Sequence, residues 1–207
     1  MRRLFLGIMM AMCMAWLGVS TSAAQKNNAA RKILDRAAKV VGRSGGASAS
    51  FTMSSAATGK VSGTIAIKGN KFNARTPQMT VWYNGKTQWT YVKKNNEVNV
   101  STPTQAQQQM MNPYSFITMY KTGYKMSVTN AGANNEVHLV AQNPKRGIPE
   151  MYITINRKTG VPSKVKMKHK GKWSTTTVSN FSPKNLSDRI FTFNSKDYPT
   201  AEVIDLR

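Results

Sequence analysis

The residues able to do chemistry are few and scattered. Acidic side chains occur only at Asp35, Glu97, Glu136, Glu150, Asp188, Asp197, Glu202 and Asp205. The two histidines, His138 and His169, fall on different predicted strands, and each reads as an ordinary strand residue. There is no H-E-x-x-H, no G-x-S-x-G and no close pair of cysteines. Gly85-Lys86-Thr87 matches the end of a phosphate-binding loop, but that loop needs a glycine five positions earlier, and position 80 is threonine. Such a loop must also lead into a helix, and here a strand follows. No enzyme, metal site or cofactor is expected from this inventory. The chain reads as a binding protein.

What the side chains do offer is charge. The formal net charge is +22 over 207 residues. A field of that size favours an anionic partner or surface. Nucleic acid is the usual first candidate, but no recognition helix or aromatic-rich RNA-binding motif is present, and export argues against it. Anionic lipid headgroups, polysaccharide or an acidic protein face fit better. A solvated basic surface without a ligand fits the composition equally well. The charge is patterned in one place: Lys164, Lys166 and Lys168 alternate with Val165 and Met167. That spacing puts a basic docking face on one side of a strand and an apolar face on the other. Lysines on a strand also discourage edge aggregation.

The export signal is N-terminal. Met1-Arg2-Arg3 precedes an apolar run from Leu4 to Val19, and Ser22-Ala23-Ala24 supplies small residues. This reads as a secretory signal peptide over residues 1–24, cut before Gln25. Cys13 lies within the run after Met12, where lipid attachment would want a small residue, so it reads as incidental. Cutting 24 residues from 207 leaves 183 without cysteine, at about +20 once Arg2 and Arg3 are gone. A chain of that length, residues 25–207, fits one domain with a sizeable core.

The elements that would position these residues are mostly strands. Ala30, Ile33, Leu34, Ala37, Ala38 and Val41 form one stripe of a helix over about 28–41, with Gly42 as its stop. Ala47, Ala49, Phe51 and Met53 alternate with Ser48, Ser50, Thr52 and Ser54. Val61, Gly63, Ile65 and Ile67 then share a face, and a turn at Gly69-Asn70 leads to Phe72 and Ala74. Asn84-Gly85, flanked by Met79-Val81-Tyr83 and Thr87-Trp89-Tyr91, predicts a hairpin with a two-residue type I′ turn. Residues 104–111 and 113–123 predict helical structure, with Asn112-Pro113 as its cap. Alternation resumes through Val128, Val137 to Val140, Met151 to Ile155, Val165 to Met167 and Trp173 to Phe181. Roughly ten or eleven strands at near-regular spacing predict a large antiparallel sheet or barrel.

Several short segments fall in an order that resembles the LolA-type periplasmic lipoprotein carriers. They are Ala49-Ser50-Phe51, Lys68-Gly69-Asn70-Lys71-Phe72, Asn84 to Tyr91, Asn112-Pro113-Tyr114 and Phe191-Thr192-Phe193. The resemblance spans most of residues 28–207. It is strongest at Asn84 to Tyr91, where the family usually has Asp-Gly-Lys-x-x-Trp-x-Tyr. It implies an α+β, mainly antiparallel fold: an incomplete β-barrel with an N-terminal helix and an internal helical lid. It also implies a monomeric carrier in the periplasm. That carrier would take lipoprotein acyl chains from an inner-membrane release complex to an outer-membrane acceptor.

An acyl chain needs apolar walls and no catalyst. Phe51, Met53, Ile65, Phe72 and Trp89 are the candidate sheet-side lining, and Tyr114, Phe116, Ile117 and Tyr120 the helical side. Met110, Met111 and Met119 add adaptable surface. Burying one acyl chain is worth on the order of 10 kcal/mol, at ~0.8 kcal/mol per methylene. The same residues would equally make a dry, filled core. Two departures from the family pattern stand out. Asn84 replaces the usual acid, and Gly69 stands where the family has the arginine that tethers its lid. The alternative function is therefore a lipid-binding sensor or regulatory module with the same cup and no carrier activity.

Overall fold

A computed structural model of the protein describes residues 18–56, 59–104, 107 and 119–207, with residues 18–23 described by backbone alone. Most of the predicted signal peptide and most of the predicted lid, including Met110, Met111, Tyr114, Phe116 and Ile117, lie outside the described residues.

Helix α1 spans Gly18–Val41. Ala30, Leu34, Ala37 and Val41 are buried and lie along one stripe at helical spacing. The helix ends at Gly42, as expected. Its described part already extends ten residues before the expected start at Asn28, because nothing between Val19 and Asn28 breaks a helix. The expected cleavage point before Gln25 falls inside it. No helix among the described residues is long and apolar enough to cross a membrane.

Among the described residues, twelve strands follow. They are β1 Ala47–Ser55, β2 Gly59–Lys68, β3 Lys71–Arg75, β4 Met79–Tyr83, β5 Gln88–Val92 and β6 Glu97–Ser101. Then come β7 Tyr124–Ala131, β8 Asn134–Ala141, β9 Glu150–Asn156, β10 Pro162–His169, β11 Lys172–Pro183 and β12 Glu202–Asp205. They form one open sheet in the order β12-β6-β5-β4-β3-β2-β1-β11-β10-β9-β8-β7. The architecture is the expected mainly antiparallel, unclosed barrel. The strand beyond the expected ten or eleven is β12, which adds in parallel to the edge of β6.

Antiparallel neighbours share faces at paired positions, so the register sorts every side chain. Phe51 pairs with Val178 and Gly63, Ile65 with Ala49 and Ala74, Phe72 with Ile67 and Tyr83, and Val165 with Ile153. All of these point to the face that carries α1, the inner face. Two apolar clusters occupy it. In the first, Leu34 and Ala37 of α1, with Tyr120, pack on Val137, Leu139, Met151 and Ile153 of β8 and β9. The second gathers Ala49, Ile65, Ile67, Phe72, Val81 and Tyr83 from β1 to β4. Half-buried Phe181 packs against both, so the apolar surface is continuous.

The outer face is divided. Over β3 and β4 it is covered by the C-terminal segment, which contains two short 3-10 helices, Asp188–Phe191 and Ser195–Asp197. Trp82 meets Phe193 and Tyr198 edge-on at 5.5 Å, and Tyr91 meets Tyr198 at 4.7 Å. Thr80, Val81, Trp82 and Tyr83 are consequently all buried, and β4 is covered on both sides. The outer face of β8 to β11 carries polar and aromatic side chains instead.

Candidate functional site

The structure brings together four of the sheet-side residues. Phe51 and Met53 of β1 pair with Gly63 and Val61 of β2, and Ile65 and Phe72 follow on the same inner face. Ile65 and Phe72 are buried, while Phe51 and Met53 are half-buried. The Phe51 ring leans across Gly63, with its tip 2.9 Å from where a Cβ on that glycine would stand. The result is an apolar floor, graded from buried at β3 and β4 to half-exposed along β1.

Trp89 does not belong to this floor. It pairs with Trp82 and Val100, so it points to the outer face, away from Phe51 and Phe72. The correction follows from register alone: in a strand, adjacent positions project oppositely, and Gln88 and Thr90 take the inner side. Tyr120 is fully buried in the first cluster, beneath α1, and its hydroxyl donates to the Asp35 carboxylate. Burial first, and then that hydrogen bond, push the phenol pKa up. Tyr120 therefore anchors the helix in the filled half of the inner face and does not line the β1–β4 floor.

The Asn84-Gly85 hairpin forms between β4 and β5, but not through a two-residue turn. Four residues, Asn84 to Thr87, make the loop; Gly85 takes φ +100°, and Asn84 is not among the positive-φ residues. Asn84 Oδ1 accepts from the backbone N–H of Lys86 at 3.0 Å and of Thr87 at 2.9 Å. An aspartate would accept the same two bonds, so the departure from the family's acid leaves the loop intact. Gly69 differs in kind. It sits at φ +60° in the tight turn between Lys68 and Lys71, with open space where a Cβ would be. No side chain leaves the sheet at this position, and the conformation itself disfavours one. Lys68 and Lys71, on either side, both reach Asp188, at 3.0 and 2.9 Å. They tie the turn to the C-terminal segment.

At the predicted lid, Thr104 and Gln107 satisfy each other. The Thr104 N–H donates to Gln107 Oε1 at 2.8 Å, and the Gln107 N–H donates to Thr104 Oγ1 at 3.3 Å. The two bonds have the reciprocal pattern of a capping box. The T-x-x-Q spacing is readable in the sequence.

The predicted basic face lies on the outer side of β10. Lys164 and Lys166 are exposed and Lys168 is half-buried. The face is not uniformly wet, as the alternation alone suggests. Lys166 Nζ lies 4.6 Å from the Trp173 ring centroid and 6.0 Å from that of Tyr152, and Lys168 lies 5.6 Å from Trp173. Tyr152 stacks on His138 at 4.2 Å. Glu150 Oε1 accepts from His138 Nε2 at 3.0 Å and from the Tyr152 hydroxyl at 3.2 Å, and Lys168 Nζ lies 3.9 Å from Glu150 Oε2. The His138 hydrogen bond is the chief reason that the Glu150 pKa lies below the ordinary glutamate value. A depressed carboxylate pKa contributes stability above the unfolded value and loses it as pH falls through the folded one. His138→Ala should move the Glu150 midpoint upward, toward that of a free glutamate, in a carboxyl-resolved NMR titration. An unmoved midpoint would reassign the cause.

A cavity of about 730 Å³, which sequence reasoning missed, opens on the outer face, lined by Arg75, Trp82, Arg189, Phe193, Asp197 and Tyr198. Its chemistry is mixed: two guanidiniums face two carboxylates, Asp197 and Asp188, around an aromatic wall. Among the described residues, no cluster of three or more His, Cys, Asp or Glu could hold a metal ion.

A family model described as outer membrane lipoprotein carrier protein LolA matches residues 19–171. No curated protein matches the chain. Among solved structures, an uncharacterized conserved protein from Thermus thermophilus is 16% identical, with a TM-score of 0.59 over 86% of this chain and 99% of that one. A LolA superfamily protein from Nitrosomonas europaea is 12% identical, with a TM-score of 0.45 over 79% and 97% of the two chains. LprF from Mycobacterium bovis is 10% identical, with a TM-score of 0.47 over 78% and 97%. The first of these likenesses establishes the fold.

Proposed function

The chain belongs to the family of the outer membrane lipoprotein carrier protein LolA, and from that premise we propose that it is a periplasmic carrier of lipoprotein acyl chains. The observation that carries this reading is the continuous apolar floor on the inner face of β1 to β4, from half-exposed Phe51 to buried Phe72. Holding an acyl chain there needs no catalyst. The acyl chain lies along Phe51, Met53, Ile65 and Phe72, while α1 and Tyr120 close the other half of the face. The lipoproteins, a release complex in the inner membrane and an acceptor in the outer membrane are the partners, and the protein works as a monomer.

One observation favours a second reading. Gly69 occupies a left-handed turn where the family has its lid-tethering arginine. A cup without that tether suits a lipid-binding sensor or regulatory module that holds its ligand without handing it on.

Native mass spectrometry after gentle purification, followed by a transfer assay between membrane fractions, tests both. The carrier reading expects bound lipoprotein and its delivery to outer-membrane fractions. Bound lipid without delivery would replace the carrier with the sensor. Protein free of lipid that also fails to take up an acyl probe would end both.

A further inference from the structure

The strongest unassigned feature is the hairpin of β10 and β11. Its sequence from Lys164 to Trp173 places lysines at 164, 166, 168, 170 and 172. The turn is two residues long, Lys170-Gly171, with φ +48° and +77°, and it is closed by the His169–Lys172 pair. Both turn residues in the left-handed region give the tight hairpin whose twist matches its strands. Three of the lysines share the outer face with Trp173 and, across β9, with Tyr152. Trp173 and Tyr152 are half-buried on an open face, with Lys166 and Lys168 laid over the Trp173 ring.

The carboxylate bonded into this group, Glu150, is already engaged by His138, Tyr152 and Lys168. Against five lysines, Glu150 and Glu136, the latter on the same face of β8 as His138, leave a local excess of three positive charges. Toward β1 the stripe ends at β11. The outer side of neighbouring β1 carries Ser48, Ser50, Thr52 and Ser54 and no lysine. A device for solubility alone would not concentrate lysines on one hairpin, nor bring tryptophan and tyrosine to the same surface. Lysine together with amphipathic aromatic rings is the composition that suits the headgroup layer of a bilayer, where ammonium groups meet phosphates and rings sit at the interface.

We propose that the β10–β11 hairpin docks the protein on an anionic phospholipid surface through Lys164, Lys166, Lys168 and Trp173 on its outer face, with Lys170 and Lys172 at its tip. This inference is independent of what the inner face carries. Each lysine near such a surface contributes about a fivefold gain in partitioning at low ionic strength. The attraction is screened beyond about 8 Å at physiological salt. Binding is therefore multivalent, reversible and salt-dependent.

The test is co-sedimentation of the full protein with phosphatidylcholine vesicles, with or without phosphatidylglycerol. The wild type should bind the anionic vesicles and not the neutral ones, and should release at high salt. The variant with all five hairpin lysines changed to glutamine should lose more than about a hundredfold in partitioning. A control with Lys32, Lys39, Lys60, Lys93 and Lys184 changed to glutamine has the same net charge and should stay within about threefold of the wild type, the local attraction being what matters. Trp173→Phe should remove the part of the tryptophan fluorescence that brominated lipid quenches. Thermal melts of all variants establish that they are folded. Equal loss in the control would assign binding to bulk charge, and so overturn the proposal. So would wild-type binding by the hairpin variant. A wild type that ignores anionic vesicles at low salt, while binding an acidic protein or polyglutamate, would move this face to a different partner and also overturn it.

Discussion

Tyr120→Ala is expected to lower the unfolding free energy by about 3–5 kcal/mol, the cost of deleting a large buried aromatic side chain. For a chain of this size that corresponds to a fall of roughly 6–20 °C in melting temperature. Tyr120 has no exposed surface and belongs to the cluster in which Leu34 and Ala37 of α1 meet Val137 and Ile153 of the sheet. Its ring is thus part of the seat of the helix. Its hydroxyl ties that seat to Asp35 on the exposed side of α1. Tyr120→Phe keeps the ring and removes only the hydrogen bond, whose net worth beside solvent is about 1 kcal/mol or less. The two variants therefore separate packing from tethering. Amide exchange should show the α1 protons of the alanine variant opening well before the central strands. A melt of Tyr120→Ala within two or three degrees of wild type would mean that the helix is seated by other contacts.

Much of the fold is legible because most strands expose one face and bury the other. Val137 and Leu139, or Ile153 and Ile155, alternate with polar neighbours, and period two is then visible. The same logic fails at β4. There Val81 and Tyr83 face the inner cluster while Trp82 faces Phe193 and Tyr198, so burial does not alternate. The cover over Trp82 comes from more than a hundred residues further along the chain, and no local pattern announces it. Trp89 misleads for the same reason: its size suggests the inner face, and only its pairing with Trp82 reveals the outer one. The same C-terminal segment supplies β12, a short exposed strand without clear alternation. The basic stripe on β10 is readable as a direction, but its contact with Trp173 is not. That contact depends on the neighbouring strand's register, and a period of two carries no information about the neighbour.

Phe51→Glu should weaken binding of an acyl probe by at least about a hundredfold at neutral pH, while Thr52→Glu should leave it unchanged. The two positions are adjacent on β1 and project to opposite faces. Phe51 pairs with Gly63 and Val178 on the inner side, and Thr52 pairs with Ser62 and Thr177 on the outer. Both variants introduce the same charge at the same height in the sheet, so only the face differs. Phe51 is half-buried, so its glutamate can reach water in the empty protein and folding should survive. An acyl chain lying on the floor would strip that water away, and desolvating an unpaired carboxylate costs several kcal/mol. At Thr52 the loss is one exposed hydroxyl contact, to Ser62 at 2.9 Å. The pH dependence carries a second signature. An acyl neighbour favours the neutral acid and raises the pKa of the introduced glutamate in the complex. Probe affinity of Phe51→Glu should therefore recover as pH falls, whereas Phe51→Gln should show no such recovery. If Phe51→Glu melts like the wild type and binds the probe with wild-type affinity, the acyl chain does not lie along β1, and the proposed site on this floor is wrong.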